Sequence, residues 1–374
     1  MLFDVRVFIA AGIFCAVLST CTATLHRDDS SAPRDCGQPD LSLPDITSKF
    51  DVFSSIDKGL PSEKRYFPSE TIWYSDISNA SKDFKSDVII AKLIENGGWG
   101  TGEMRIDFSL HVLEADASTT MKTFNPTEDF FEPDCEHASV PVPLVGAVEG
   151  NDGYVCEDDG DCHLIVRHAT TKKLFEMWRA NIVGTVFDGG CLVVWDLTKT
   201  YGWNQNPPTG SWGIGMHCTS ADAAGFPISP LLFSADEIKA GAIKHAIRFI
   251  LPNNRIASGT YVYPATHATF AASANEETGV PYGARFRLRA DFPIESLATE
   301  GAKVVARAMQ KHGMFLADGG TIALTAQSDR FTAAKWTDVL GEEPAFAMDS
   351  LKINDFEMVD GGERFFQDDC VRNN

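Results

Sequence analysis

Between positions 241 and 291 the chain concentrates side chains that move protons and hold anions: His245, Tyr261, Tyr263, His267, Arg285, Arg287 and Arg289. Imidazole titrates near neutrality, a phenol can give a proton to a leaving oxygen, and a guanidinium group forks onto a carboxylate. Those are the parts needed for β-elimination on a uronic acid, in which a cation neutralises the substrate carboxylate, a base takes the neighbouring proton and a donor protonates the departing oxygen. Arg285 or Arg287, His245 or His267, and Tyr261 or Tyr263 would fill the three roles. A second set, Asp196, Asp222 and Asp318, offers the carboxyl pair that hydrolysis of a glycosidic bond requires.

Three extended segments would have to position the first set. In residues 241–251 (GAIKHAIRFIL) the two-residue period of a strand sends Ile243, His245, Ile247, Phe249 and Leu251 to one face and Lys244 and Arg248 to the other. His245 therefore falls in an apolar row, either as a core histidine paired with backbone or as a base at the floor of a cleft. Residues 259–268 (GTYVYPATHA) put Tyr261 and Tyr263 on one face before Pro264, with His267 just beyond the strand end. Residues 283–291 alternate Arg285, Arg287 and Arg289 against Phe286 and Leu288, and such a stripe needs acidic partners or an anionic ligand. The three segments are expected to share one sheet neighbourhood.

The N-terminus reads as an export leader. A single Arg6 precedes a short apolar run that ends in small residues and gives way at once to HRDDSSAPRD, a pattern too short and too abruptly ended for a membrane span. The expected leader is 1–23, cut after Ala23. Lipid modification of Cys21 is an alternative, and a cut after Leu25, exposing His26 as a copper-binding N-terminus, is a remote one. Residues 24–45, rich in Asp, Ser and Pro, read as a flexible spacer, leaving 46–374 as a single β-rich domain.

Seven cysteines follow the leader: Cys36, Cys135, Cys156, Cys162, Cys191, Cys218 and Cys370. In an exported chain they are expected to form disulfides, with Cys156–Cys162 stapling its own loop and Cys36–Cys370 tying the ends. A formal net charge of −20 argues against nucleic acid and anionic membrane surfaces as partners. A chain of 374 residues with 44% hydrophobic content can bury a full core without relying on those cross-links.

Short alternating or apolar runs at 105–113, 163–168, 174–182 and 191–197 predict strands, with a hairpin over 163–182 that turns at Ala169-Thr170-Thr171-Lys172. Helical spacing is clear only at 295–312, starting near Ser296 and stopping at Gly313, and in a shorter stretch at 332–340. The fold expected is mainly β, a β-sandwich or jelly-roll-like scaffold with a few short helices.

Other stretches carry weaker chemistry. CEDDGDC could hold calcium through Asp158, Asp159 and Asp161, yet it lacks the spacing of an EF-hand and reads first as a solvated acidic loop closed by a disulfide; no cofactor is otherwise expected. Trp203 and Trp212 flank a loop rich in Asn, Pro and Gly where indoles could stack on sugar rings or simply anchor the loop. Asp196, after Trp195, ends a strand that leads into this loop. His217, Cys218, Ser220 and Asp222 lie close together, without the glycine pattern of a hydrolase elbow, so a capping role for Ser220 or Asp222 is the simpler reading. Asp318 in FLADGG is a site acid or a turn residue.

The stretches FPSETIWYSDISNA, CTSADAAGFPISPLLFSADEIKAGAIKHAIRFILP, YVYPATHA, YGARFRLRAD and GMFLADGGTIALTAQSD resemble those of a family of secreted, mostly bacterial proteins. The resemblance runs over roughly 67–330 and implies export and one continuous domain. It implies no activity and transfers no catalytic residue. The residues themselves point first to a secreted carbohydrate-active enzyme acting on an extracellular polysaccharide, with a glycoside hydrolase ahead of the lyase. A non-catalytic carbohydrate-binding or surface adhesion protein is the alternative of a different kind.

Overall fold

Alternation and turn chemistry define the strands. Residues Leu164–His168 and Lys173–Trp178 pair antiparallel with His168 opposite Lys173, and Lys172 takes a left-handed φ of 55° in the expected turn. The computed structural model describes residues 65–132, 134–157, 160–201 and 220–367. The leader, the spacer, Asp158, Asp159, Trp203, Trp212, His217 and Cys218, together with the expected Cys36–Cys370 link, lie outside the described residues. All described residues belong to one unit, Gly59–Asn374; the other unit, Met1–Lys58, lies outside them.

The fold is mainly β, with four α-helices among the described residues. Its centre is a six-stranded sheet in the spatial order Ile106–Leu110, Leu324–Gln327, Ile247–Leu251, Met314–Gly319, Arg285–Leu288, Phe356–Val359. Two pairs are parallel (Ile106–Leu110 with Leu324–Gln327, Ile247–Leu251 with Met314–Gly319) and the other three antiparallel. A second sheet runs Cys191–Asp196, Lys173–Trp178, Leu164–His168, Val112–Ala115. Its inner residues, Leu164, Val166, Met177 and Leu192, form a separate apolar cluster, while Ile165, Leu174, Val193 and Trp195 join the main core.

The expected single neighbourhood for residues 241–291 divides in two. Ile256–Val262 pairs with Val280–Tyr282 and Arg364–Phe366 in a three-stranded sheet of its own, whereas Ile247–Leu251 and Arg285–Leu288 sit in the central sheet with Met314–Gly319 between them. Strand 241–251 also begins late. The Ala235–Lys239 helix, opened by a capping box between Ser234 and Glu237, precedes Gly241 at φ 86°, and regular pairing starts only at Ile247. The S-x-x-E signature of that cap was present in the sequence, and so was the apolar spacing of Ser86–Glu95, a second helix not anticipated.

The long helix spans Glu300–Lys311, not 295–312. Thr299 caps it by accepting from the Ala302 amide at 3.1 Å, and Ile294–Ser296 forms a 3-10 turn ahead of it. Gly313, at φ 70°, ends it as expected. The expected helix at 332–340 shortens to Trp336–Leu340. Among the described residues two disulfides are present, the expected Cys156–Cys162 and a second, not anticipated, between Cys135 and Cys191. Among the described residues no helix is long and apolar enough to cross a membrane.

Candidate active site

The two faces of the central sheet differ in chemistry. Register and the two-residue period put Asp107, Thr325 and Arg248 on one face, with Phe249, Phe286 and Leu324 on the other. Arg248, not His245, is the functional candidate of its segment. Its guanidinium group is nearly fully buried and donates to Asp222 Oδ1 from Nε at 3.1 Å and Nη2 at 2.9 Å, to Asp318 Oδ2 from Nη2 at 3.0 Å, and to Thr325 Oγ1 from Nη1 at 3.2 Å. One guanidinium nitrogen therefore serves two carboxyl groups.

Each acid is delivered by a different element. Asp318 sits near the end of Met314–Gly319, where the side chain of the strand-end acid leaves the packed interior and stays 30% exposed. Asp222 is 1% exposed and begins a tight turn closed by Gly225 N–H donating to its carbonyl at 2.8 Å. The Ala224 amide donates to the Ala317 carbonyl at 2.8 Å and fastens this turn beside Asp318. Gly225 is required here: at φ 79°, an added Cβ would lie 2.1 Å from His267 Nδ1 and 2.2 Å from Thr266 Oγ1. His267 thus supports the Asp222 turn from behind. It is buried, with Thr266 Oγ1 2.7 Å from its Nδ1.

Burial pushes the Asp222 carboxyl up to about 7, against the pull of Arg248 and with help from the Asp318 charge. Asp318 is raised as well, first by burial. Asp222 Oδ2 is buried without a hydrogen-bond partner, so half of this carboxyl is satisfied and half is not.

The second sheet contributes a further dyad. His163, directly after the disulfide-bonded Cys162, has Nδ1 2.6 Å from Glu149 Oε2 and Nε2 2.8 Å from the Ala221 carbonyl, the residue before Asp222. Burial opposes its charge, but Glu149 overcomes this and lifts the imidazole to about 9, so both ring nitrogens donate at neutral pH. Glu149 is correspondingly lowered, with His163 and Ser109 outweighing its burial. Ser109 Oγ lies 2.7 Å from Asp107 Oδ2 and 3.0 Å from Glu149 Oε1. One hydroxyl proton serves one acceptor at a time, so both contacts are satisfied when Asp107 carries a proton. Burial and the Glu149 charge raise its pKa in that direction.

A stability prediction follows from the dyad. The folded pKa of His163 lies above the ordinary histidine value of about 6.5, so its contribution is complete below that pH and is lost as pH rises through about 9. Thermal melts between pH 6 and 10 should show this loss in the native protein and not in His163→Gln. Parallel pH profiles would refute the charged pair.

Several other candidate residues are placed elsewhere. Asp196 accepts from Thr198 N–H at 3.0 Å and Thr198 Oγ1 at 2.6 Å and faces Lys173; the Thr198 bonds lead in holding its pKa at about 2, so it is a turn acid unsuited to donating protons. His245 lies before the strand, 3.0 Å from Glu237 Oε1 through Nε2 and 2.8 Å from the Ala246 carbonyl through Nδ1. Tyr261 is buried against Phe365, and Tyr263 is half-buried beside the core.

The arginine stripe alternates as expected but turns inward. Arg285 donates to the His312 and Ser75 carbonyls and to Ser75 Oγ; Arg287 bonds Glu357 and the Ile77 and Ala80 carbonyls. Only Arg289 is well exposed, beside Asp291. Arg285 and Arg287 are thus spent on the segment 75–80, toward the opposite edge of the sheet from Asp107. Asp161 of the acidic loop accepts from Trp178 Nε1 at 2.6 Å, and among the described residues no group of three or more His, Cys, Asp or Glu side chains is arranged to hold a metal ion.

Sequence reasoning missed Arg248, Glu149, His163, Asp107 and Ser109 as site residues. The chain matches no protein-family model, no curated protein and no solved structure.

Proposed function

We propose that the chain is an exported glycoside hydrolase in which Asp318 is the general acid and Glu149 the ionised carboxylate that activates water or attacks the sugar. Hydrolysis of a glycosidic bond needs two carboxyl groups whose environments drive their proton affinities apart. The observation that carries the reading is this divergence around one guanidinium: Asp318 is raised and partly exposed, whereas Glu149 is lowered, and the Arg248 charge acts on both. Asp222, buried beside Asp318 on the same Nη2, is a positioning residue that holds the guanidinium group against Asp318. Export is supported by the leader-like N-terminus and two disulfides. The elimination reading draws little support from this arrangement, because the guanidinium groups it would use are bonded to the protein's own carbonyls.

Asp318→Asn should lower kcat/KM for reducing-end release by about 10²–10⁴-fold, the usual contribution of a general acid, with Tm within a few degrees of native. A polysaccharide panel read for reducing ends and for unsaturated uronates identifies the working substrate. Appearance of unsaturated uronates, or full activity in Asp318→Asn, overturns the hydrolase assignment.

A further inference from the structure

One polar group beside Asp318 has no partner inside the protein. Met314–Gly319, which carries Asp318, has the Arg248 strand on one side and Arg285–Leu288 on the other. Just ahead of Arg285 the chain turns a corner. The Ala284 amide donates to the Pro281 carbonyl at 3.1 Å, and Gly283 takes φ 82°, where an added Cβ would lie 2.0 Å from the Val262 carbonyl oxygen. The Gly283 amide donates to the Leu316 carbonyl at 2.9 Å and the Leu316 amide to the Ala284 carbonyl at 3.0 Å, which fastens the corner to the Asp318 strand. Tyr282, inside the corner, is therefore fixed beside the strand end that bears Asp318, on the flank opposite the Arg248 strand. Its ring packs in the main core and the residue is 2% exposed. Yet among the described residues its hydroxyl makes no hydrogen bond, and unlike Asp222 Oδ2 it is not sealed from solvent. The charges that reach the phenol are those of Asp318, Asp222 and Arg248, so the ring is directed at their cluster.

We propose that the Tyr282 hydroxyl is a substrate-binding donor of this site, giving its hydrogen bond to a sugar hydroxyl held beside the glycosidic oxygen that Asp318 protonates. The proposal rests on the hydrolase reading and adds a residue to it. Burial foremost, and then the Asp318 and Asp222 charges, raise the phenol above its ordinary pKa, so it stays protonated and acts as a donor, not as a base or nucleophile. Asp318 itself keeps 30% of its side chain in solvent, which leaves room for a substrate at this strand end. A sugar hydroxyl can accept from the phenol and donate onward, whereas an apolar occupant would leave a nearly buried hydroxyl unpaired. A ring locked in the core also loses little freedom when it binds, so its hydrogen bond counts almost fully toward recognition.

The test uses the full chain and five oligosaccharide probes: cellohexaose, laminarihexaose, xylohexaose, mannohexaose and chitohexaose. Tyr282→Phe keeps the ring and removes only the unpaired hydroxyl. It should lower kcat/KM on the hexaose that is cleaved by about tenfold or more, with an unchanged Tm. Tyr154→Phe supplies the contrast, because the Tyr154 hydroxyl already donates to the Pro143 carbonyl at 2.8 Å. Its loss should lower Tm and leave kcat/KM as in the native protein. In the Asp318→Asn background, where binding is read without cleavage, adding Tyr282→Phe should weaken calorimetric binding of the same hexaose severalfold. Native efficiency in Tyr282→Phe, an equal loss of efficiency in Tyr154→Phe, or a Tm drop in Tyr282→Phe that matches that of Tyr154→Phe overturns the proposal and leaves the hydrolase reading standing. If no hexaose is cleaved, binding decides separately. A hexaose that binds the native chain and binds Tyr282→Phe more weakly upholds the sugar contact without the hydrolysis, and equal binding or none removes the proposal.

Discussion

Glu176→Ala should lower stability by about 3–5 kcal/mol, with a Tm drop on the order of 10 °C, making it among the most damaging single substitutions in the chain. The Glu176 carboxyl is fully buried on Lys173–Trp178, yet it accepts from the Ile228 amide at 2.9 Å, the Ser229 amide and hydroxyl at 2.8 Å each, and Trp195 Nε1 at 2.9 Å. Every partner is a donor. Burial raises its pKa, while these donors pull the other way and favour the ionised form that can accept them all. Removing the side chain leaves backbone amides at 228 and 229 without acceptors inside the core. Glu176→Gln should also destabilise, because an amide nitrogen would face N–H groups. Melting both variants by circular dichroism checks this, and a loss below about 1 kcal/mol in either would show that water replaces the carboxylate.

Arg248→Met is expected to cost a similar amount near neutral pH, with a distinctive pH dependence. Removing one partner of a buried ion cluster leaves the others uncompensated, at about 3–5 kcal/mol. Asp222 and Asp318 already bind protons more tightly in the folded chain than the ordinary aspartate value of about 3.9, and losing the guanidinium raises them further. A carboxyl with a raised folded pKa holds more protons folded than unfolded, so stability falls as pH climbs from about 4 through the folded pKa. Acidification should therefore rescue the variant: Tm at pH 5 should exceed Tm at pH 8 by a wider margin than in the native protein. An identical pH slope in the two would mean that water, not proton uptake, compensates the exposed carboxyls.

Strand alternation made the sheet strands readable, and it placed Arg248 correctly on the face opposite Phe249. What it could not supply was which face mattered. Extending the alternation back to Ile243 drew His245 into the strand and directed attention to its face, although Gly241 and the Ala235–Lys239 helix delay pairing until Ile247. The arginine stripe was readable as a pattern but not as a surface. Both faces of the central sheet are covered, and the acceptors that satisfy Arg285 and Arg287 are mostly backbone carbonyls, which carry no letter in the sequence. Asp222 and Asp318 stood out as acids beside small residues at segment ends. Glu149 and His163 did not, because their meaning comes from a contact between the two sheets and from the Ala221 carbonyl, with no spacing to mark it.

The fastening of Ala224 to Ala317, and of Arg248 to both acids, bears on how the chain acquires its chemistry. Positions 107, 149, 163, 222, 248, 318 and 325 each contribute a group, so the site spans more than half of the sequence and contains no local subset that is complete. Contacts of such separation are paid for in loop-closure entropy before any of them is rewarded. A partly synthesised or partly threaded chain, lacking residue 318, has neither the acid nor the strand that holds the Asp222 turn. On the hydrolase reading proposed above, the candidate site is therefore assembled only with completion of the central sheet.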